Sequence, residues 1–159
     1  MMCECNLVLT KVQNEYDVEQ LRLIRNECKN FMTRNTSEIL KEQQQQWYKN
    51  LNKEINELYL FNSVIYGVAY STIGYGYIRI ENDSVLLTGG ITSGERGKGY
   101  GYILFDYLVK NSKKFNLPIK LEVLKTNTVA LSVYNKLGFK AIYDDEKLIK
   151  MEYNYDSVI

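Results

Sequence analysis

Apolar residues recur along this chain with two periods, and the alternation between them outlines a fold. A first strand is predicted over Asn6–Val12. Val18, Leu21, Ile24, Cys28 and Phe31 then fall three or four residues apart, which sets them on one face of a helix from about residue 17 to 32. Ser37 is placed to cap a second helix, with Leu40, Trp47 and Leu51 as its buried stripe and the Gln43–Gln46 run as its solvated side. Tyr59–Tyr70 and Gly74–Glu81 read as two β-rich segments, and Asn82-Asp83 as the turn into an apolar strand over 84–92. Ile103, Leu104, Tyr107 and Leu108 mark a helix over 100–115, and Pro118 leads into a strand over 119–125. Asn127 or Thr128 can cap a short helix whose inner face carries Ala130, Leu131, Tyr134 and Leu137. Gly138 stands where that helix wants a left-handed residue, and strands follow over 139–143 and 147–153. The order β-αα-βββ-α-β-α-ββ is mixed α+β, and residues 1–159 form one domain without repeat or linker.

Composition narrows the chemistry. The 159 residues carry a formal charge of +1 and 45% apolar residues, so no basic excess points to nucleic acid. No apolar run approaches a membrane span, and Met1-Met2-Cys3-Glu4-Cys5 is too polar for a signal peptide, so a cytoplasmic location is expected. Three cysteines cannot build a disulfide framework. The chain has no histidine. That removes Ser-His-Asp and Cys-His triads and imidazole bases, and a zinc site would need carboxylates to complete it, so no metal is expected. Any chemistry must run on carboxylates, tyrosines, lysines, cysteines, backbone dipoles or water.

Arg96-Gly97-Lys98-Gly99-Tyr100-Gly101 joins the strand over 84–92 to the helix over 100–115. A glycine-rich turn at a helix N-terminus points several N–H groups at one spot, and the dipole adds partial positive charge, which suits a phosphate. Arg96 and Lys98 add full charges beside it. The plainer reading is a tight turn in which Gly99 and Gly101 permit close packing. No Gly-Lys-Ser/Thr follows, so this is not a P-loop. A Rossmann unit would want an acidic residue ending the next strand about 20 residues on. Glu122 lies in mid-strand instead.

A second cluster follows, Leu121-Glu122-Val123 and then Asn127, Ala130, Tyr134, Lys136, Gly138 and Phe139. Together the two clusters resemble the GNAT superfamily of acyl-CoA-dependent N-acyltransferases. The family's pyrophosphate loop reads R/Q-x-x-G-x-G/A, and its later signature roughly L-E-V-x-x-x-N-x-x-A-x-x-x-Y-x-K-x-G-F. This chain carries every named position of both. The resemblance is strong over residues 57–153 and loose in the N-terminal third.

The resemblance implies a twisted, mainly antiparallel sheet of about seven strands flanked by about four helices. Strands 84–92 and 119–125 would splay apart and take the pantetheine arm of acetyl-CoA, with backbone groups of Ile91 and Thr92 pairing its amides. Arg96, Gly97, Lys98, Gly99, Tyr100 and Gly101 would hold the pyrophosphate. Tyr134 would donate a proton to the leaving thiolate, and Asn127 would bond the cofactor near the thioester or cap its helix. Lys136 would meet the adenosine phosphate or stand in solvent. Glu122 would accept the amine's proton through water or point to the opposite face. Glu81 and Asp83 read as turn residues.

The expected activity is an N-acetyltransferase in which a primary amine attacks acetyl-CoA directly in a ternary complex. Ile24-Arg25-Asn26 and Gln46-Trp47-Tyr48 loosely resemble members that acetylate amino groups on nucleotide-linked sugars, and Tyr66, Tyr70, Tyr75 and Tyr77 offer aromatic surface for a sugar or base. A small-molecule acceptor is therefore favoured, an amino sugar first. Scant acidic charge over 21–51 argues against a strongly cationic acceptor. The rivals are an acetyltransferase of protein N-termini or lysines and a non-catalytic acyl-CoA sensor, and a homodimer is compatible with either.

Overall fold

The structure is a computed structural model and describes residues 5–155. Cys3 and the side chain of Tyr70 lie outside the described residues. Seven strands form one sheet: β1 (Cys5–Lys11), β2 (Asn56–Ile65), β3 (Val68–Glu81), β4 (Ser84–Ile91), β5 (Ile119–Leu124), β6 (Phe139–Asp144) and β7 (Leu148–Tyr153). Their spatial order is β1-β2-β3-β4-β5-β7-β6, and every pairing is antiparallel except β4 with β5. Helices α1 (Glu15–Glu27) and α2 (Lys41–Asn50) cover one face, and α3 (Tyr100–Ser112) and α4 (Thr128–Leu137) pack on the other. This is the mixed, mainly antiparallel architecture expected from the sequence. Among the described residues no helix is long and apolar enough to cross a membrane.

Alternation along the strands feeds two cores. Val85, Leu87, Ile119, Leu121 and Val123 point to the α3–α4 side, where Leu104 and Leu108 are fully buried. Tyr75 points the other way, to Val18, Leu21, Ile24 and Cys28 of the α1 layer. Gly90 makes this approach close: a Cβ there would stand 2.6 Å from Cys28 Sγ. Two-residue turns with positive φ, Tyr66-Gly67 and Asn82-Asp83, join β2 to β3 and β3 to β4. That geometry matches the right-handed twist of paired strands.

Four expectations need correction. The first helix ends at Glu27 rather than 32; a 3-10 turn over Lys29–Phe31 follows, and Phe31, 43% exposed, covers the Arg96 guanidinium instead of entering the core. Ser37 does not cap α2, which starts at Lys41 with the Gln43 side chain accepting from the Leu40 N–H (2.9 Å). Ser37 is held elsewhere, its carbonyl accepting from buried Arg25 (2.5 Å). The stripe of α2 is also rotated: Leu40 is 56% exposed and Trp47 37%, while Gln44 is 5% exposed. Tyr48 and Leu51 make the core contact, so Gln44 and Trp47 are turned toward a cavity. Finally, the Tyr66-Gly67 turn divides the segment read as one strand over 59–70, and β3 runs unbroken through Ser71–Ile73 with two register shifts.

Candidate active site

The parallel pairing of β4 with β5 lasts only from Val85–Ile119 to Leu87–Leu121. Beyond it the strands part, and a cavity of about 920 Å³ opens through the sheet. Alternate residues of an antiparallel strand aim their N–H and C=O to opposite sides. The Thr92 N–H bonds Ile73 O (2.9 Å) and the Val85 N–H bonds Pro118 O (2.8 Å). By that alternation, Gly89 and Ile91 face the opening. Ile91 O accepts from Arg96 Nε (3.0 Å), which leaves the Ile91 N–H and both Gly89 groups for a ligand. Thr92 is engaged elsewhere, its hydroxyl on Glu27 Oε2 (2.5 Å) and its carbonyl on the Glu95 N–H (3.0 Å).

The glycine loop lines one end of this cavity. Gly97 and Gly99 have φ of +80° and +83°, a conformation that favours glycine, and no atom lies within 4 Å of a Cβ built at Gly97, Gly99 or Gly101. No side chain caps α3, so the N–H groups of its first turn stay open. The two cations of the loop are engaged with other groups, Arg96 at the cavity wall and Lys98 at the surface. Arg96 docks on the C-terminal end of α1, bonding Glu27 O (3.2 Å) and approaching Cys28 Sγ (3.5 Å), while Lys98 pairs with Glu95 (2.9 Å) at the surface. Burial pushes the Cys28 thiol pKa up, with Arg96 opposing.

Asn127 caps α4, its Oδ1 accepting from the Ala130 N–H (3.2 Å), and it lines the cavity. Gly138, with φ +105°, ends the helix. One turn before that end, Tyr134 is 8% exposed, edge-on to Phe105 (4.9 Å between centroids) and Phe139 (6.0 Å). It also lines the cavity, and its hydroxyl has no hydrogen bond among the described residues. Burial pushes its pKa up, so the phenol stays protonated. Lys136 does not reach this cavity; it is exposed in a smaller, lysine-rich groove between α3 and α4.

Glu122 faces the α1–α2 side of β5 and lines the cavity beneath the segment that joins α1 to α2. Its carboxylate accepts from Arg34 Nε (2.9 Å), Arg34 Nη2 (3.2 Å) and Thr33 Oγ1 (3.1 Å), with Lys150 Nζ at 4.0 Å. Burial pushes its pKa up, but the Arg34 and Thr33 bonds and the Lys150 charge outweigh that and hold it below the ordinary carboxylate value. Arg34 also forks onto Glu81 (3.0 and 3.1 Å), which lowers that carboxyl as well; Glu81 ends β3 beside the Asn82-Asp83 turn and does not line the cavity. Arg34, Gln44 and Arg79 were not read from the sequence. Arg34 reaches partners 47 and 88 residues away, for which no local pattern exists. Gln44 and Trp47, three apart on one helix, gave only a solvated run and a core stripe. Tyr66 is 74% exposed at its hairpin tip and does not line the cavity, whereas Tyr75 and Tyr77 do.

The Acetyltransferase (GNAT) family profile matches residues 20–139. The chain belongs to the GNAT acetyltransferase family. Comparison with curated proteins gives no significant match. Solved relatives share the fold at low identity. Spermidine N-acetyltransferase from Vibrio cholerae, solved with CoA and spermine, is 18% identical at TM-score 0.75, covering 92% of this chain and 94% of its own. The Salmonella typhimurium protein yncA, solved with acetyl-CoA, is 15% identical at 0.69, covering 94% and 93%. Ribosomal-protein-alanine N-acetyltransferase from Brucella melitensis is 18% identical at 0.70, covering 91% and 98%.

Proposed function

We propose that this GNAT enzyme transfers the acetyl group of acetyl-CoA to the primary amine of a small molecule by direct attack in a ternary complex. The observation that carries this is the parting of β4 and β5 between an open glycine turn and a buried tyrosine whose hydroxyl has no hydrogen bond among the described residues. The residues present fit the cofactor: the N–H groups of Gly97–Gly101 for the pyrophosphate, Gly89 and Ile91 for the pantetheine amides, Asn127 near the thioester. Lys136, in the α3–α4 groove, is assigned to the adenosine phosphate. When bound, acetyl-CoA supplies an activated acetyl thioester.

The chain's own residues then handle protons and position. As the C–N bond forms and the C–S bond breaks, the thiolate needs a proton, and Tyr134 is a neutral donor aimed into the cavity. Glu122 takes the proton the ammonium loses, through water. Its lowered pKa keeps it ionised well into the acid range, so the acid limb of the pH–rate profile should follow the amine and not this carboxylate. Arg25, Arg34, Arg79 and Arg96 line the cavity against Glu38, Glu95 and Glu122, which disfavours a polycation. Trp47 and Tyr77 give an aromatic wall suited to a sugar ring, so amino sugars head the acceptor screen. The test is thiol release from acetyl-CoA with a panel of amines, the product confirmed by mass. Acetylation only of peptide N-termini would overturn the small-molecule reading, and cofactor binding without any thiol release would leave a sensor.

A further inference from the structure

Gap, loop and tyrosine are absorbed by the transferase reading, which uses only the Trp47–Tyr77 wall at the far end of the cavity. Gln44 and Trp47 share a face of α2. The Trp47 ring lies 5.9 Å from that of Tyr77, tilted by 42°, and the Arg79 guanidinium stands 5.5 Å over the Tyr77 ring. Tyr77 and Arg79 are alternate residues of β3 and point the same way. All four line the cavity.

Two of them carry unused hydrogen-bonding groups. Gln44 is 5% exposed, and its side-chain amide has no hydrogen bond among the described residues. Arg79 Nε is buried and equally without one. Glu81 Oε2 lies 3.4 Å from it but out of line, and both Glu81 oxygens already accept from Arg34. Among the described residues Arg79 Nε is the buried side-chain polar atom without a partner; native proteins leave few in this state, and a ligand or water commonly completes them. Among the described residues Arg34, Arg79 and Lys150 share Glu81 and Glu122, and the Arg79 approach to Glu81 (3.4 Å) is longer than those of Arg34 to either carboxylate (3.0 and 2.9 Å).

We propose that this end of the cavity is a recognition subsite for the body of the acceptor. It takes a ring that bears an acidic oxygen group, carboxylate or phosphate. The ring stacks on Trp47 and Tyr77, and the oxygens accept from Arg79 and from the Gln44 amide. The term acceptor rests on the transferase reading; the binding does not.

Trp47 is the chain's single tryptophan, so its fluorescence reports the subsite directly. Two matched pairs serve as probes: 4-(aminomethyl)benzoate against benzylamine, and glucosamine 6-phosphate against glucosamine. In the native protein the acidic member of at least one pair binds about tenfold tighter or better, and which pair responds separates carboxylate from phosphate. Arg79→Gln should reduce that preference to within about threefold, Arg79→Lys should keep part of it, and Gln44→Leu should weaken the acidic member alone. No preference in either pair, or a preference that survives Arg79→Gln, overturns the subsite. Acetylation of the same amines is followed separately. Charge-selective binding without turnover upholds the subsite and removes the transferase reading, whereas turnover without charge selectivity does the reverse.

Discussion

Replacing Tyr134 by phenylalanine separates chemistry from folding more cleanly than any other change in the cavity. The hydroxyl has no partner among the described residues, while the ring is clamped by Phe105 at 4.9 Å and Phe139 at 6.0 Å. Phenylalanine keeps both ring contacts and removes only an oxygen that contributes no internal bond. Losing a bonded, buried hydroxyl ordinarily costs about 1–3 kcal/mol; here the expected change lies within about 1 kcal/mol of zero. For a domain of this size that is a midpoint shift of no more than about 2–4 °C. Loss of a positioned proton donor costs about 10²–10⁴ in rate. Thiol release under saturating acetyl-CoA should therefore collapse, while acetyl-CoA still raises the melting temperature as it does for the native protein. Unchanged turnover would refute the acid role. A drop of several degrees in the ligand-free melt would refute the claim that the hydroxyl is unpartnered.

Gly99→Glu forces a side chain onto φ +83° and sets a negative charge where the pyrophosphate would lie, while its Cβ meets no atom within 4 Å; the fold should survive by circular dichroism while acetyl-CoA no longer shifts the melt. Arg25→Ala removes a buried guanidinium that bonds Ser37 O, Asn35 O and Asn26 Oδ1, so it should cost about 3 kcal/mol in urea unfolding and raise the acceptor KM more than that for acetyl-CoA. Burial pushes the Glu57 carboxyl up, but bonds from Lys114 and Tyr59 (2.7 Å each) hold it net below the ordinary value, as Arg34 holds Glu81 and Glu122. Lowered carboxyl pKa values give stability that is present above the ordinary carboxylate pKa and lost as pH falls through the lowered one. Melts should decline below about pH 4.5, and Lys114→Met should flatten that decline.

Local chemistry made much of the fold legible. Asn127 and Gly138 bound α4, Asn82-Asp83 turns β3 into β4, and the spacing of Leu104 and Leu108 sets the inner face of α3. The parting of β4 and β5 has no local cause, and it was expected only through the family likeness. The acceptor half was illegible for a related reason. Gln44 reads as solvated until tertiary contacts bury it, and Arg34, still exposed, shows its role only through partners far along the chain. Apolar periodicity misplaced α2 because Trp47 faces a cavity, and the pattern cannot distinguish a cavity wall from a core.

The central claim is that acetyl-CoA lies between β4 and β5 with its pyrophosphate on the glycine loop. Amide hydrogen exchange with and without acetyl-CoA tests it most directly. The account predicts new protection confined to Gly89–Ile91, Gly97–Gly101 and the start of α4. Protection elsewhere, or none at saturating acetyl-CoA, would contradict it.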